Sequence, residues 1–239
     1  MSSPPALANV RVVLVSTSHP GNIGAAARAM KTMGLADLRL VNPKYFPDPQ
    51  AEAMASGAGD LLQGARVCAT LDEALEGAVL AAGASARGRE LRAETMDARA
   101  AALHLAGEAA HHPVALVFGS EQAGLTTEEL SRCQLLVRIP TNPDYASLNL
   151  AASVQVLAYE LRMAAVGAPQ PPPPEFPPAS LDDMERFYEH LEQTLLATGF
   201  LDPYNPKRLM PRLRRLFSRA RLEREEVNIL RGILGSLPK

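Results

Sequence analysis

Three short segments of this chain place polar side chains where an apolar run gives way to a helical pattern. That is the position at which α/β proteins commonly hold a ligand. The first, Ser18–Arg28 (SHPGNIGAAAR), puts the amide of Asn22 at the start of a helix and the guanidinium of Arg28 nearly two turns further in. The second, Val114–Leu125 (VALVFGSEQAGL), ends a buried run in Gly119, Ser120 and Glu121, with Gly124 following. Glycines at 119 and 124 suit a close approach of backbone to a ligand. The third, Ile139–Val154 (IPTNPDYASLNLAASV), carries two prolines that stiffen a polar turn before Ser147 and Asn149, which sit where a helix begins. Amides, a hydroxyl, a carboxylate and a permanent cation are groups for orienting a substrate and stabilising developing charge. Each segment alone reads equally well as an ordinary capped loop, with Arg28 in a surface ion pair.

Several chemistries are excluded by spacing. A dinucleotide fingerprint led by Gly21 needs glycine at 23, where Ile23 stands, and the second apolar run ends in Asn42-Pro43 rather than an acidic ribose partner. No GxxxxGK[ST] pattern is present. A hydrolase elbow around Ser120 needs glycine at 118, where Phe118 stands. The 5 histidines show no metal spacing, and His111 and His112 adjoin, so they point apart on a helix. Cys68 and Cys133 lie beside apolar runs and read as buried thiols. No apolar run approaches the roughly 18 residues of a membrane span. The N-terminal residues lack a signal-peptide pattern, which implies a cytoplasmic protein.

The elements that must position these groups alternate along residues 10–160. Strands are expected at Val10–Val15, Leu38–Val41, Arg66–Cys68, Val79–Ala82, Val114–Phe118 and Leu135–Ile139. Helices are expected at Ile23–Met33, Asp72–Glu76, Asp97–Ala110, Thr127–Arg132 and Leu148–Val166. Short continuous Val/Leu/Ile runs separated by helices predict an α/β domain with a mostly parallel sheet. In the first helix Ile23, Ala27 and Met30 form the inward stripe and Arg28 flanks it.

Residues 168–180 (APQPPPPEFPPAS) hold seven prolines and read as a stiff linker between a domain at 1–167 and an extension at 181–239. The extension predicts helices at Leu181–Ala197, Lys207–Ala220 and Glu225–Leu234, with Leu209, Leu213 and Leu216 as an apolar stripe. It is too small to promise stability without docking. Although the chain is −2 overall, residues 181–239 hold 11 Lys+Arg against 9 Asp+Glu. Lys207–Arg221 has seven basic residues and no acidic one, which is a solvated face or a phosphate-binding patch. Arg212, Arg215 and Arg219 share one side of that helix.

Taken together, Asn22-Ile23-Gly24 with Arg28, Phe118-Gly119-Ser120-Glu121 with Gly124-Leu125, and Ile139-Pro140 with Ser147-Leu148-Asn149-Leu150 resemble the three motifs of the SPOUT-superfamily RNA ribose 2′-O-methyltransferases. The branch resembled most is the one that modifies cytidine or uridine at position 32 of tRNA, and the likeness extends through Arg28–Leu35, Leu71–Leu75, Glu192–Phe200 and Asn228–Leu234. The resemblance implies a deep C-terminal trefoil knot, a homodimer with active sites at its interface, and S-adenosylmethionine as methyl donor. It implies cofactor contacts at Ala84, Ser85, Ala86, Gly119, Ile139, Ala146, Ser147 and Leu148. It implies catalytic roles for Arg28, Ser147, Asn149, Asn22 and Glu121, and no metal. It raises the phosphate-binding reading of Lys207, Arg208, Arg212, Arg215 and Arg219, with Arg28 also on the RNA. Arg28 is either a base or, since guanidinium stays protonated, a grip on phosphate and developing alkoxide. One departure is Ser120, where the motif commonly has arginine. The competing functions are a methyltransferase acting on another tRNA or rRNA ribose, a non-catalytic RNA binder, and a nucleotide-cofactor oxidoreductase.

Overall fold

The computed structural model describes residues 4–85, 94–167 and 177–237. Seven strands run β1 Val10–Val15, β2 Asp37–Val41, β3 Arg66–Cys68, β4 Leu80–Ala84, β5 Glu94–Asp97, β6 Val114–Phe118 and β7 Leu135–Arg138. They form one sheet in the order β3-β2-β1-β6-β4-β7-β5, and every pairing is parallel. The helices are α1 Pro20–Met33, α2 Pro49–Ala55, α3 Gly59–Gln63, α4 Leu71–Leu75, α5 Ala98–Ala109, α6 Thr127–Ser131, α7 Leu150–Gly167, α8 Leu181–Ala197, α9 Leu209–Ala220 and α10 Arg224–Ser236.

The period-2 geometry of a strand divides each apolar run between two cores. In β1, Val12 and Leu14 face a layer built from α1, α5 and α7, while Val13 and Val15 face α4 and α6. Both faces are covered, which is why the central strands read as unbroken apolar runs rather than alternating ones. In α1, Ile23, Ala27 and Met30 are fully buried and Arg28 is exposed, as the pattern predicts. Cys68 and Cys133 are free and buried, and burial pushes the Cys133 thiol up to about 12.

Four elements differ from expectation. The edge strand β5 (ETMD) is polar and mostly exposed, so it carries no apolar signal; its pairing with β7 makes it a strand. Helices α2 and α3 lie in an Ala- and Gly-rich stretch without strong periodicity. Packing fixes α2: a Cβ on Gly24 of α1 would lie 2.0 Å from the Ala51 carbonyl oxygen, so only glycine lets the two helices meet. The helix expected from Leu148 begins at Leu150, because Asn149 caps it.

The extension folds as α8, α9 and α10 around Phe187, Tyr188, Leu191 and Val227, with Met210, Leu213 and Phe217 of α9 packed against them. The expected stripe of Leu209, Leu213 and Leu216 is corrected here: Leu216 is 49% exposed, and Phe217 takes the inward position. Phe187 and Phe217 meet edge to face at 4.9 Å. The extension docks onto the α/β domain. Leu181 N–H donates to Ala78 O (2.7 Å), Arg132 bridges Asp72 (3.0 Å) and Glu185 (3.2 Å), and Arg221 pairs with Glu108 (2.6 Å). Most of the proline-rich segment lies outside the described residues, but Pro178 bridges to Glu223 and Ala179 is buried in the extension's core.

Candidate active site

The three polar segments meet at the C-terminal edge of the sheet. Glu121, just past β6, is their hub. Its Oε2 accepts from the Ser18 backbone N–H (3.0 Å) and the Ser18 hydroxyl (2.8 Å). Its Oε1 accepts from the Asn22 side-chain amide (2.8 Å) and the His19 N–H (3.3 Å). Asn22 Oδ1 in turn accepts from Asn149 Nδ2 (3.0 Å). Asn149 Oδ1 accepts from the backbone N–H groups of Ala151 (2.9 Å) and Ala152 (3.3 Å) at the start of α7. Those N–H groups can only donate, so Asn149 must present its NH₂ to Asn22, and Asn22 must present its NH₂ to the carboxylate. The amide orientations follow from the network.

Partial burial pushes the Glu121 carboxyl up, but the donors from Ser18, Asn22 and its own backbone outweigh it and bring it down to about 2. Glu121 is therefore ionised at neutral pH and fully engaged. That suits a structural anion and disqualifies it as a proton acceptor.

Beside the hub, a cavity of about 180 Å³ opens at the ends of β4, β6 and β7. Ala84, Ser85, Gly119, Ile139, Ala146, Ser147 and Leu148 all line it, as does Glu121. Ala86 lies outside the described residues. Its lining is mixed: Phe118, Leu125, Val137, Ile139 and Leu150 give an apolar part that suits a flat aromatic group, and Ser85, Glu121, Thr141, Ser147 and Ser153 give a polar part. Gly119 corrects the idea of backbone approaching a ligand there. A Cβ on it would fall 2.1 Å from the Gly124 carbonyl carbon and 2.2 Å from Leu125 N, so the space is filled by the chain itself. Ser120 accepts from Ala123 N–H (3.3 Å) and bridges to Gly124, which closes this turn.

Arg28 does not line the cavity. It is exposed on α1, and among the described residues no carboxylate pairs with it, so the surface-ion-pair reading fails. Ser147 is exposed with no hydrogen-bond partner among the described residues, which leaves its hydroxyl available. Asn149, by contrast, has both ends of its amide occupied. Sequence reasoning placed Ser18 at the head of the first segment but gave it no role, although it makes two of the four contacts to Glu121. Its position directly after β1 was visible, but a lone serine in a loop carries no signal until Glu121, 103 positions away, is folded against it.

On α9, Arg212 and Arg219 are exposed, as are Lys207 and Arg208 before it. Arg215 is half-buried, facing a gap of about 770 Å³ between the extension and the sheet edge, and its buried Nε has no partner. Arg214 and Arg221 are spent on ion pairs. Arg214 holds Glu185 through two contacts of 2.6 and 2.7 Å and lies 4.4 Å from the centre of the Tyr188 ring.

Residues 9–159 match the SpoU rRNA methylase family, and residues 182–239 match the C-terminal domain of the tRNA methyltransferase TrmJ. The chain belongs to the SpoU methylase family. Its extension carries the match to TrmJ, so the likeness to a tRNA methyltransferase runs beyond the methylase domain. The chain is 55% identical to the tRNA (cytidine/uridine-2′-O-)-methyltransferase TrmJ of Klebsiella pneumoniae, over 97% of each chain. The crystal structure of TrmJ from Z. mobilis ZM4 superposes with a TM-score of 0.85 at 34% identity, over 96% of this chain and 99% of that one. The SpoU methyltransferase AviRb from Streptomyces viridochromogenes, solved in complex with AdoMet, shares the fold at 22% identity and a TM-score of 0.53, over 66% of this chain and 60% of that one. Both the parallel α/β architecture and the methyltransferase class expected from the motifs hold. Among the described residues no helix is long and apolar enough to cross a membrane.

Proposed function

We propose that this methyltransferase places a methyl group on the ribose 2′-hydroxyl of cytidine or uridine 32 in the tRNA anticodon loop, with S-adenosylmethionine as donor. The observation that carries the reading is the relay Asn149–Asn22–Glu121–Ser18, which ties the three motifs into one edge beside a small cavity of mixed lining. The relatives' activity on tRNA supports the substrate, and AviRb's bound AdoMet supports the donor.

The cavity's chemistry fits that cofactor: an apolar part for an adenine, and an ionised carboxylate near a site for a sulfonium cation. Ala84, Ser85, Ala86, Gly119, Ile139, Ala146, Ser147 and Leu148 would hold it. When bound, it supplies a methyl group already activated for transfer. The chain's part is alignment, which lowers a barrier by up to roughly 7–11 kcal/mol. Ser147 offers the free hydroxyl that orients the substrate or cofactor. Asn22, Asn149 and Glu121 keep the edge in shape. Arg28 grips the target phosphate and stabilises the developing alkoxide, and that phosphate takes the proton, because guanidinium does not give one up at neutral pH.

Arg28 lies outside the cavity of its own chain, so we place the complete site at a homodimer interface. An exposed apolar stripe on α7, Tyr159, Met163 and Val166, supports that face as the contact. The reading includes the trefoil knot through β7 and α7, action in the cytoplasm, a methyltransferase domain at 1–167, a linker at 168–180 and a tRNA-gripping extension at 181–239. Lys207, Arg208, Arg212, Arg215 and Arg219 would supply that grip. The deciding experiment is methyl transfer to unmodified tRNA with the product nucleotide mapped by mass spectrometry. Product at the ribose of nucleotide 32 is expected. Product at another ribose refutes the position and keeps the class, and no product on any RNA refutes both.

A further inference from the structure

A second, shallower cavity of about 410 Å³ lies on the other side of the Glu121 hub. Ser18, His19 and Gln122 form its inner wall, and Lys44, Tyr45 and Asp48 from the loop after β2 form its outer wall. Tyr45 stands out. It is 52% exposed and carries a large apolar ring that no core cluster uses. The Lys44 ammonium lies 5.3 Å from its ring centroid, within cation–π range, and Lys44 is itself exposed.

The loop that bears them is fixed. Lys44 N–H donates to Thr17 O (3.0 Å), Asn42 N–H to Cys68 O (3.2 Å), and the Asn42 amide to Ala69 O (2.9 Å). Asp48 then caps α2 through Gln50 N–H (2.8 Å), so the one carboxylate in this cavity is already partnered. The bond to Thr17 couples the loop directly to Ser18 and hence to Glu121. A ring and an ammonium held together at the rim of a methylation site have the chemistry of a nucleotide: a π-face for the base and a cation for its phosphate.

We propose that Tyr45 and Lys44 form a subsite for an unpaired nucleotide adjoining the methylated one, with the base stacked on Tyr45 and its phosphate on Lys44. This rests on the RNA reading of the neighbouring site. It assigns these side chains to substrate binding and not to the chemical step, because neither contacts the Glu121 network.

The test is steady-state methylation of tRNA by the full-length protein, with Tyr45→Ala, Tyr45→Phe, Tyr45→Trp and Lys44→Ala. Loss of one stacked base at about 1–3 kcal/mol predicts that Tyr45→Ala raises KM for tRNA by about tenfold, with kcat within about twofold. Tyr45→Phe and Tyr45→Trp keep the π-face and stay near wild type. Lys44→Ala flattens the salt dependence of tRNA binding by about one contact. A fluorescent base analogue placed next to the target nucleotide is quenched by wild type and less so by Tyr45→Ala. The proposal is overturned if Tyr45→Ala leaves KM unchanged, or lowers kcat at constant KM. Equal damage from Tyr45→Phe would also overturn it, since the hydroxyl and not the ring would then matter. So would a Tyr45→Ala protein that changes oligomeric mass, which would make this face a protein contact. Failure of wild type to methylate any tRNA would instead remove the underlying reading.

Discussion

The Glu121 carboxylate is satisfied internally: four donors converge on it, and two amides relay it to the start of α7. Along α9 the reverse holds. Among the described residues Arg212 and Arg219 point to solvent without partners, while Arg214 is held by Glu185 within the extension and Arg221 is consumed by docking onto Glu108. The first region is preorganised, so its polar groups cost no reorganisation when a substrate arrives. The second keeps its charge hydrated and available, which suits a salt-sensitive grip on a polyanion. Arg28 belongs to the second kind although it sits on a helix of the first, and Arg214 belongs to the first kind although it sits on the basic helix. Sequence position alone does not separate charges that build the protein from charges that meet the ligand.

Substitutions in the two regions should therefore fail in different ways. Arg28→Ala is expected to have the largest effect, lowering single-turnover methyl transfer by about 10³-fold, in the range seen for losing a transition-state charge contact. Cofactor affinity, measured by calorimetry, should change little; near-normal turnover on saturating tRNA would sink the role given to Arg28. Gly119→Ala forces a Cβ into the Gly124–Leu125 backbone and should destabilise the fold by about 3 kcal/mol in urea titrations, as overpacking does. An unchanged midpoint would mean that this turn is softer than its contacts imply.

In the extension, the pair Arg212→Glu and Arg219→Glu should weaken tRNA binding by about tenfold and reduce the salt slope by about two contacts, with stability intact. Adding Arg215→Glu should weaken binding further and also cost stability, since the half-buried Arg215 faces the gap beside the sheet. Binding and salt slope unchanged from wild type in all three variants would assign the helix to folding or dimerisation. Arg214→Ala leaves Glu185 half-buried without its bidentate partner and should cost about 1–2 kcal/mol, discounted from the buried-pair range for its partial exposure. Differential protection of α9 in hydrogen exchange would show whether that loss is local.

The smallest effect concerns acid. The folded pKa of Glu121 lies at about 2, below its ordinary 4.5, so its contribution to stability is complete above about pH 4.5. That contribution shrinks as pH falls and is gone by about pH 2. Glu121→Gln should therefore lose less stability than wild type between pH 6 and pH 3, and parallel losses in both proteins would put the acid sensitivity elsewhere.

Much of this was legible from residue order. Buried parallel strands read as Val/Leu runs because both faces are covered, and β1 and β6 fall where those runs predict. The inward stripe of α1 and the exposure of Arg28 followed from helical period alone. The three motif segments were visible as polar groups at strand ends. Less legible were elements that earn no local signal: β5 is polar because it sits at a sheet edge, and α2 is defined by a glycine contact rather than by amphipathic spacing. The apolar stripe of α9 was misjudged at Leu216 because a short, mostly exposed helix offers two adjacent leucine-containing faces, and the aromatic contact of Phe217 with Phe187 selects one.

By itself, then, the sequence determined the alternation of strands and helices, the places where polar groups interrupt it, and the concentration of cations near the C-terminus. These depend on residue type and on periods of two and 3.6, which are local properties. Only the tertiary structure decided that Glu121 belongs to Ser18 and Asn22, that Asn149 is fully engaged while Ser147 has no partner among the described residues, and that Arg214 holds the extension together while Arg221 docks it. Those outcomes depend on contacts between positions about a hundred residues apart, and on whether each side chain's hydrogen bonds are satisfied within the fold or left for another molecule.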